Sequence, residues 1–356
     1  MDTREEVKAY YSKMSLENEG QMATQVCSLA GMGLPRSIKK IRSGIPQEII
    51  ERYYGCGSPI PAVLEGQTVL DLGCGTGVDV YTLSKLVGER GHVIGVDMNE
   101  DQLAIARKYQ DKMTRKYKYA KPNTDFKQGY IEDLKSCGIE DNSVDIVVSN
   151  CVLNLSPNKE AVFKEIWRIL KPGGELYFAD IFADRRIPEA ISQDPVLRGE
   201  CLGGAMYLED FRRIMMKTGW LDLRFMTSRP APIGNGRIEQ LVGNIGFYSV
   251  TVRAFKLPGL VEDACEDYGQ IAIYRGGVAD QSQLFELDQD HRFELNRPQQ
   301  VCGNTAAMLE KTRFADYFEL IGDRSQHFGH FSEARHEVDP VAAARTCRPA
   351  DSACQC

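Results

Sequence analysis

From residue 61 onward, short continuous apolar runs alternate with longer segments in which apolar residues recur every three or four positions. Runs of the first kind are typical of strands buried on both faces, and segments of the second kind are typical of amphipathic helices. The predicted strands are Thr68–Leu72, His92–Asp97, Asp125–Gln128, Val144–Ser149 and Glu175–Phe182. The predicted helices between them are Val78–Leu86, Glu100–Tyr117 and Ala161–Leu170. This alternation predicts an α/β fold with a doubly wound, mainly parallel, Rossmann-like sheet.

The same pattern divides the chain into four parts. Residues 1–60 are predicted to be an N-terminal helical segment, and residues 61–232 the doubly wound domain. Prolines and glycines between residues 230 and 236 indicate a boundary. Residues 233–335 are then expected to form a smaller α+β domain, and residues 336–356 a flexible tail. Within the smaller domain we predict strands at Phe247–Phe255 and Gln270–Tyr274 and a helix capped by Asn304.

Charge and composition exclude several classes of function. The net charge of -7 argues against nucleic-acid binding, because phosphate neutralisation needs clustered Lys and Arg. No apolar run is long enough to span a membrane, and the acidic start shows no secretory signal. We therefore expect a cytoplasmic protein with no nucleic-acid or membrane partner. We also expect it to act as a monomer.

A glycine-rich turn follows the first predicted strand and begins a helix. It reads DLGCGTG over residues 71–77, and Asp97 ends the second strand. Glycines there let a ligand approach the backbone at a helix N-terminus, and the second acid can accept hydrogen bonds from ribose hydroxyls. The spacing, with Asp71 two residues before the first glycine, resembles the first motif of class I S-adenosylmethionine-dependent methyltransferases.

The chain has 11 cysteines, far fewer than a disulfide scaffold, and no C-x-x-C pair that would indicate structural zinc. A free cysteine often packs as a small buried apolar residue, and this is the expectation for Cys74, Cys137, Cys265 and Cys302. Cys347, Cys354 and Cys356 fall in the predicted tail, where delivery of a soft ligand and incidental thiols are both open interpretations.

Four other cysteines lie in distinctive strings. The strings RYYGCG at residues 52–57, VVSNCVLNL at 147–155, GGELYFAD at 173–180 and GECLGGA at 199–205 resemble the signatures of arsenite S-adenosylmethionine methyltransferases. The resemblance runs from about Val7 to the mid-300s. It implies that arsenic(III) is bound, and the catalytic cycle carried, by Cys27, Cys56, Cys151 and Cys201. It also implies S-adenosylmethionine binding by Tyr54, Asp71, Gly73, Gly75, Asp97, Met98, Ile131, Glu132 and Asn150.

The chemistry of the substrate agrees with this resemblance. Trivalent arsenic is soft and prefers thiolate ligands, and it keeps a lone pair that can attack a methyl group. The implied substrates are arsenite or methylarsenite, including their glutathione conjugates, with glutathione or thioredoxin as thiol reductant. Two other functions stay open at this point. One is a small-molecule C- or O-methyltransferase, and the other is a non-catalytic thiol protein that sequesters metalloids.

Overall fold

The computed structural model describes Thr24 and residues 34–331. Cys27, the predicted tail with its three cysteines, and most of the predicted N-terminal segment lie outside the described residues.

The helices and strands of the described residues are as follows. The α-helices are α1 Arg36–Arg42, α2 Gln47–Ile50, α3 Val78–Val87, α4 Glu100–Lys108, α5 Gln110–Tyr117, α6 Lys159–Ile169, α7 Glu189–Ser192, α8 Pro195–Gly199, α9 Leu208–Lys217, α10 Gly236–Val242 and α11 Gly303–Glu310. The strands are β1 Thr68–Leu72, β2 His92–Asp97, β3 Thr124–Gln128, β4 Val144–Asn150, β5 Leu170–Ala183, β6 Met206–Tyr207, β7 Arg224–Pro230, β8 Phe247–Phe255, β9 Glu266–Asp267, β10 Ile271–Tyr274, β11 Leu284–Glu286, β12 Arg292–Glu294, β13 Pro298–Gln300, β14 Phe318–Ile321 and β15 Gly329–His330. Short 3-10 helices span Leu153–Leu155 and Ala315–Tyr317.

The main sheet has the strand order β3-β2-β1-β4-β5-β8-β7, with β6 paired to β5. Strands β3, β2, β1, β4 and β5 run parallel, whereas β8 is antiparallel to both β5 and β7. This confirms the predicted α/β class and the doubly wound, mainly parallel sheet. The carboxyl ends of β1, β2 and β4 meet at one edge, which is where such sheets bind ligands.

The predicted boundary between residues 232 and 233 would place β8 in the C-terminal domain. The structure instead places β8 in the main sheet. Strand β8 pairs with β5 over its whole length and with β7 on the other side. All of its residues are buried, so both of its faces are covered. The alternation of Val250, Val252 and Ala254 indicated one buried face, but alternation cannot show whether the opposite face is also packed.

Two predicted elements differ locally from the structure. The helix predicted over Glu100–Tyr117 is two helices, α4 and α5, which meet at Tyr109. Strand β5 is assigned from Leu170, yet its register with β4 jumps from the Val144–Leu170 pair to Ile146–Glu175. Residues 171–174 therefore lie outside the regular ladder, which resumes at Glu175, where the sequence predicted the strand to begin.

The C-terminal part is rich in short strands. Strand β10 lies between β13 and β14, while β11 pairs with β12 and β9 with β15. Its core is a cluster of aromatic rings, Tyr274, Phe285, Phe293, Phe314 and Phe318. Among the described residues, no helix has the length and apolar character needed to cross a bilayer.

A network around one buried acid joins this part to the main sheet. Glu175 on β5 is fully buried and forms salt bridges with Arg253 on β8 and with Arg313, which follows α11. The Arg313 guanidinium also donates to the Ala62 carbonyl at 2.9 and 3.0 Å. Because an unpaired buried charge is costly, these contacts hold the C-terminal part in one position on the sheet.

Candidate active site

The glycine loop between β1 and α3 has the backbone geometry that its sequence predicts. Gly73 and Gly75 have φ values of 70° and 52°, in the left-handed region that favours glycine. A Cβ atom at Gly73 would lie 2.3 Å from Cγ2 of Val152, so a side chain cannot fit there. The Gly75 N–H donates to Oδ2 of Asp97 at 2.8 Å, which ties the loop to the end of β2.

Two buried carboxylates, Asp71 and Asp79, and the partly buried Asp97 surround this loop. Burial, followed by the charges of Asp79 and Asp97, raises the pKa of Asp71 well above its usual range. Burial also raises the pKa of Asp97, while the backbone N–H groups of Asn99 and Gly75 oppose that shift. Excess negative charge in a buried place favours a positively charged ligand.

A network that the sequence did not predict joins the N-terminal segment to the glycine loop. Arg42 on α1 forms a salt bridge with Asp79 on α3. The Tyr53 hydroxyl donates to Oδ2 of Asp79 at 2.8 Å and accepts a bond from Nδ2 of Asn150 at 2.9 Å. The sequence shows that Asp79 is an acid in the first turn of the helix after the glycine loop, but it does not show which residues pair with it.

Asn150, at the carboxyl end of β4, holds the loop that carries Cys56. Its Oδ1 accepts the N–H groups of Cys56 at 3.1 Å and of Gly57 at 3.3 Å. Its Nδ2 donates to the Gly57 carbonyl at 3.2 Å. The residue predicted to contact the cofactor therefore also positions one of the predicted arsenic ligands.

Three of the four predicted cysteines come together at the carboxyl end of β4. Cys56 and Cys151 form a disulfide, with Cα atoms 5.9 Å apart. The Cys201 thiol donates to the Cys151 carbonyl at 3.2 Å. All three are buried, and Cys151 and Cys201 adopt positive φ values of 58° and 62°. The structure thus holds an oxidised pair where the sequence analysis expected free thiolate ligands.

Asp180 on β5 completes this group, and the sequence analysis did not single it out. One of its oxygens and the sulfurs of Cys56 and Cys151 all lie within 4.8 Å of one another. Burial raises the pKa of Asp180 to about 7, against the lowering effect of the Ile181 and Asn154 N–H groups. Its carboxyl therefore titrates near neutral pH beside the disulfide.

Every residue that the sequence predicted to bind the cofactor lines the cavity above the glycine loop. These are Tyr54, Asp71, Gly73, Gly75, Asp97, Met98, Ile131, Glu132 and Asn150. Cys151 and Asp79 line the same cavity. Glu132 also accepts a hydrogen bond from the Ser156 hydroxyl at 2.5 Å, which fixes its carboxylate at the wall.

Thr24 connects the N-terminal region to the cysteine group. Its N–H and hydroxyl donate to Oε2 of the fully buried Glu200, at 3.0 and 2.5 Å. Glu200 directly precedes Cys201, and Cys27 follows Thr24 by three positions in the sequence.

Comparison with known proteins places these observations in a family. Residues 64–219 match a model described as a methyltransferase domain, and residues 268–356 match the arsenite methyltransferase C-terminal domain. An arsenite methyltransferase of Aquipseudomonas alcaligenes is 48% identical over 92% of this chain and 93% of its own length. The human arsenite methyltransferase is 39% identical over 91% of this chain and 85% of its own.

A solved structure agrees with the sequence comparison. The crystal structure of an arsenic(III) S-adenosylmethionine methyltransferase from Chlamydomonas reinhardtii is 46% identical and superposes with a TM-score of 0.82. It covers 84% of this chain and 100% of the crystallised chain. The resemblance seen in the cysteine strings is thereby confirmed, and the chain belongs to the arsenite methyltransferase family.

Proposed function

We propose that this chain transfers a methyl group from S-adenosylmethionine to trivalent arsenic held by cysteine thiolates. The observation that carries this proposal is the meeting of Cys56, Cys151 and Cys201 at the edge of the glycine-loop cavity. Thiolates are the ligands that soft metal and metalloid ions prefer. Arsenic bound to these sulfurs would lie beside the cofactor cavity that Cys151 lines.

The residues of the cavity fit S-adenosylmethionine, which when bound supplies an electrophilic methyl group on a positively charged sulfonium. The carboxylates of Asp71, Asp79 and Asp97 favour a cationic ligand, and the glycine loop leaves room for it. We assign Asp71 to the methionine end and Asp97 to the ribose hydroxyls. The remaining contacts are assigned to Tyr54, Gly73, Gly75, Met98, Ile131, Glu132 and Asn150.

Arsenic can react without a protein base. Bound to thiolates, trivalent arsenic keeps a lone pair, and no proton leaves it when that pair forms a bond to carbon. The protein then acts mainly by orientation, which can contribute roughly 7–11 kcal/mol in well-aligned reactions. None of the described residues that line the cavity is a histidine, the commonest general base for oxygen acceptors. Four acidic residues also line the cavity, so the alternative of a small-molecule O-methyltransferase is disfavoured by the cysteine group rather than by the lack of a base.

The disulfide implies a requirement for external thiol. Cys56 and Cys151 cannot bind arsenic while they are bonded to each other. Two external thiol groups would supply the two electrons and two protons that restore both cysteines, leaving as an external disulfide. We propose glutathione or thioredoxin for this step, and a reducing cytoplasm as the place where the enzyme works, as a monomer.

Cys27 is proposed as a further arsenic ligand. The chain from Thr24 to Cys27 spans at most about 11 Å when fully extended. Thr24 in turn donates a hydrogen bond to Glu200, the residue before Cys201. Inorganic arsenite has three exchangeable ligands, whereas methylarsenite has two. Cys27 and Cys56 are therefore expected to serve arsenite methylation, and Cys151 with Cys201 to suffice for methylarsenite. Serine variants at Cys27 and Cys56 should lose activity on arsenite while keeping much of it on methylarsenite.

Transfer of labelled methyl groups tests the function. The protein is incubated with methyl-labelled S-adenosylmethionine, arsenite and glutathione, and arsenic species are separated and counted. The wild type should label arsenic, whereas Cys151→Ser and Cys201→Ser should not, because a hydroxyl is a poor ligand for a soft ion. Cys137→Ser is the matched control, because Cys137 lies outside the cavity and should be dispensable.

Other outcomes would contradict the proposal. Label in an organic acceptor but not in arsenic would favour a small-molecule methyltransferase. Arsenic bound without any transfer of label would favour the sequestering protein. Substantial turnover in either serine variant would remove that cysteine from the site.

A further inference from the structure

A second pair of cysteines lies in the C-terminal part of the chain, away from the cavity. Cys265 directly precedes β9, and Cys302 directly precedes α11. The Asn304 amide donates to the Ala264 carbonyl at 3.5 Å, which sets the backbone just before Cys265 against the start of α11, and the two cysteine side chains interact there. The sequence alone favoured simple packing for both residues, since nothing in it indicated that they meet.

Cys302 occupies the N-cap position of α11, which the sequence analysis assigned to Asn304. Its Sγ accepts the Thr305 N–H at 3.5 Å and lies 3.4 Å from the Thr305 hydroxyl. The Asn304 amide instead donates to the Glu262 carbonyl at 2.8 Å and to Asp222 at 3.0 Å. A sulfur at a helix N-terminus is placed where negative charge is stabilised.

A buried cation, the guanidinium of Arg224, lies near Cys302. Arg224 on β7 donates to the Thr305 hydroxyl at 3.2 Å, so the guanidinium and Cys302 share a neighbour. Arg224 also pairs with Asp222 and with Asp288. These surroundings agree with a thiolate at Cys302: the Cys265 hydrogen bond first, then Arg224 and Thr305, lower its pKa to about 5 despite burial. The pKa of Cys265 is raised, since that thiol keeps the shared proton.

The two sulfurs differ in access. Cys302 is 1% exposed, whereas Cys265 is half-buried and can be reached from solvent. A ligand can therefore meet the Cys265 thiol first and the Cys302 thiolate beneath it. We propose that Cys265 and Cys302 form a second dithiol site, which binds trivalent arsenicals that carry one organic group and two exchangeable oxygen ligands.

The binding step balances without an oxidant. Two As–O bonds break and two As–S bonds form, and the arsenic stays trivalent. The proton of the Cys265 thiol leaves with one hydroxide as water, and the other hydroxide takes a proton from solvent. Methyl transfer to the arsenic lone pair gives pentavalent arsenic, and two external thiols, leaving as a disulfide, would reduce it to a monosubstituted trivalent arsenical. The site would therefore hold that product on the enzyme after it leaves Cys151 and Cys201.

Residue-resolved alkylation tests the site in the full-length, reduced protein. The rate of iodoacetamide modification is followed at each cysteine by peptide mass spectrometry, with and without phenylarsine oxide as the probe. Bridging by two thiols should slow modification of Cys265 by about 100-fold at saturating probe, because the second bond forms intramolecularly. In Cys302→Ser, and in Cys302→Ala as a second variant, the probe should change that rate less than about twofold.

Cys137 is the internal control, because it is also half-buried and free, with Ser136, Asp133 and Lys127 as its neighbours. Its rate should not respond to the probe in any variant. As a second measurement, native mass spectrometry of Cys265→Ser should show one bound arsenical fewer per chain than the wild type. The proposal would be overturned if the probe left the modification rate of Cys265 unchanged, or if protection of Cys265 survived in both Cys302 variants. It would also be overturned if Cys265→Ser bound as many arsenicals per chain as the wild type. These readouts need no methyl transfer, so they succeed or fail independently of the function proposed for the cavity.

Discussion

Reduction of the Cys56–Cys151 disulfide is predicted to lower the free energy of unfolding by several kcal/mol. The two cysteines are separated by 95 positions in the sequence. For a loop of this length, the chain-entropy relation gives about 4.7 kcal/mol, and disulfides typically contribute about 2–4 kcal/mol. We expect a loss in that range, which is a large fraction of the roughly 5–15 kcal/mol that keeps a domain folded.

Arsenic should restore part of this stability. If the reduced enzyme binds arsenite through Cys56 and Cys151, the metalloid closes the same loop that the disulfide closed. Binding to the folded state alone stabilises it by about 2.7 kcal/mol when free ligand is at 100 times its dissociation constant. The reduced, arsenite-bound form should therefore unfold at a urea concentration between those of the reduced and oxidised forms, or close to the oxidised one.

Urea titration followed by tryptophan fluorescence measures these differences. The chain has two tryptophans, Trp167 and Trp220, whose rings lie 4.9 Å apart and report unfolding of the main domain. The wild type is compared oxidised, reduced, and reduced with arsenite. Cys56→Ser should be insensitive to reductant, while Cys201→Ser should keep the wild-type response. Equal midpoints for the oxidised and reduced wild type would refute the reasoning, as would a reductant-dependent shift in Cys56→Ser.

Three further predictions concern the cavity and the cysteine group beside it. Asp97→Ala should weaken S-adenosylmethionine binding at least about tenfold, through the ribose contact and the lost Gly75 bond, while arsenite affinity measured by calorimetry stays within about twofold. Asn150→Ala should lower kcat at least about tenfold, because it releases the Cys56 loop, and a wild-type kcat would show that this loop needs no anchor. Since the folded-state pKa of Asp180 is raised from 3.8 to about 7, its contribution to stability is full below pH 3.8 and lost as pH rises through 7. Asp180→Asn should remove that slope from urea midpoints measured across this window, and an unchanged slope would mean that Asp180 does not titrate there.

The order of strands and helices in the main domain was determined by the sequence. Buried parallel strands appear as continuous apolar runs, and the glycine loop has a fixed spacing to the acid that ends β2, so both are local signals. The cysteine strings likewise identified the family. These features share one property: each depends on residues that are close together in the chain.

Contacts between residues that are distant in the sequence were decided only by the tertiary structure. The Cys56–Cys151 bond, the approach of Asp180 to it, and the pairing of Cys265 with Cys302 each join residues from different elements. The position of β8 in the main sheet was hidden for a related reason. Apolar periodicity shows that a face is buried, but the partner that buries it is chosen only when the chain packs. The sequence therefore indicated which chemistry is present, and the fold determined which of the thiols can act together.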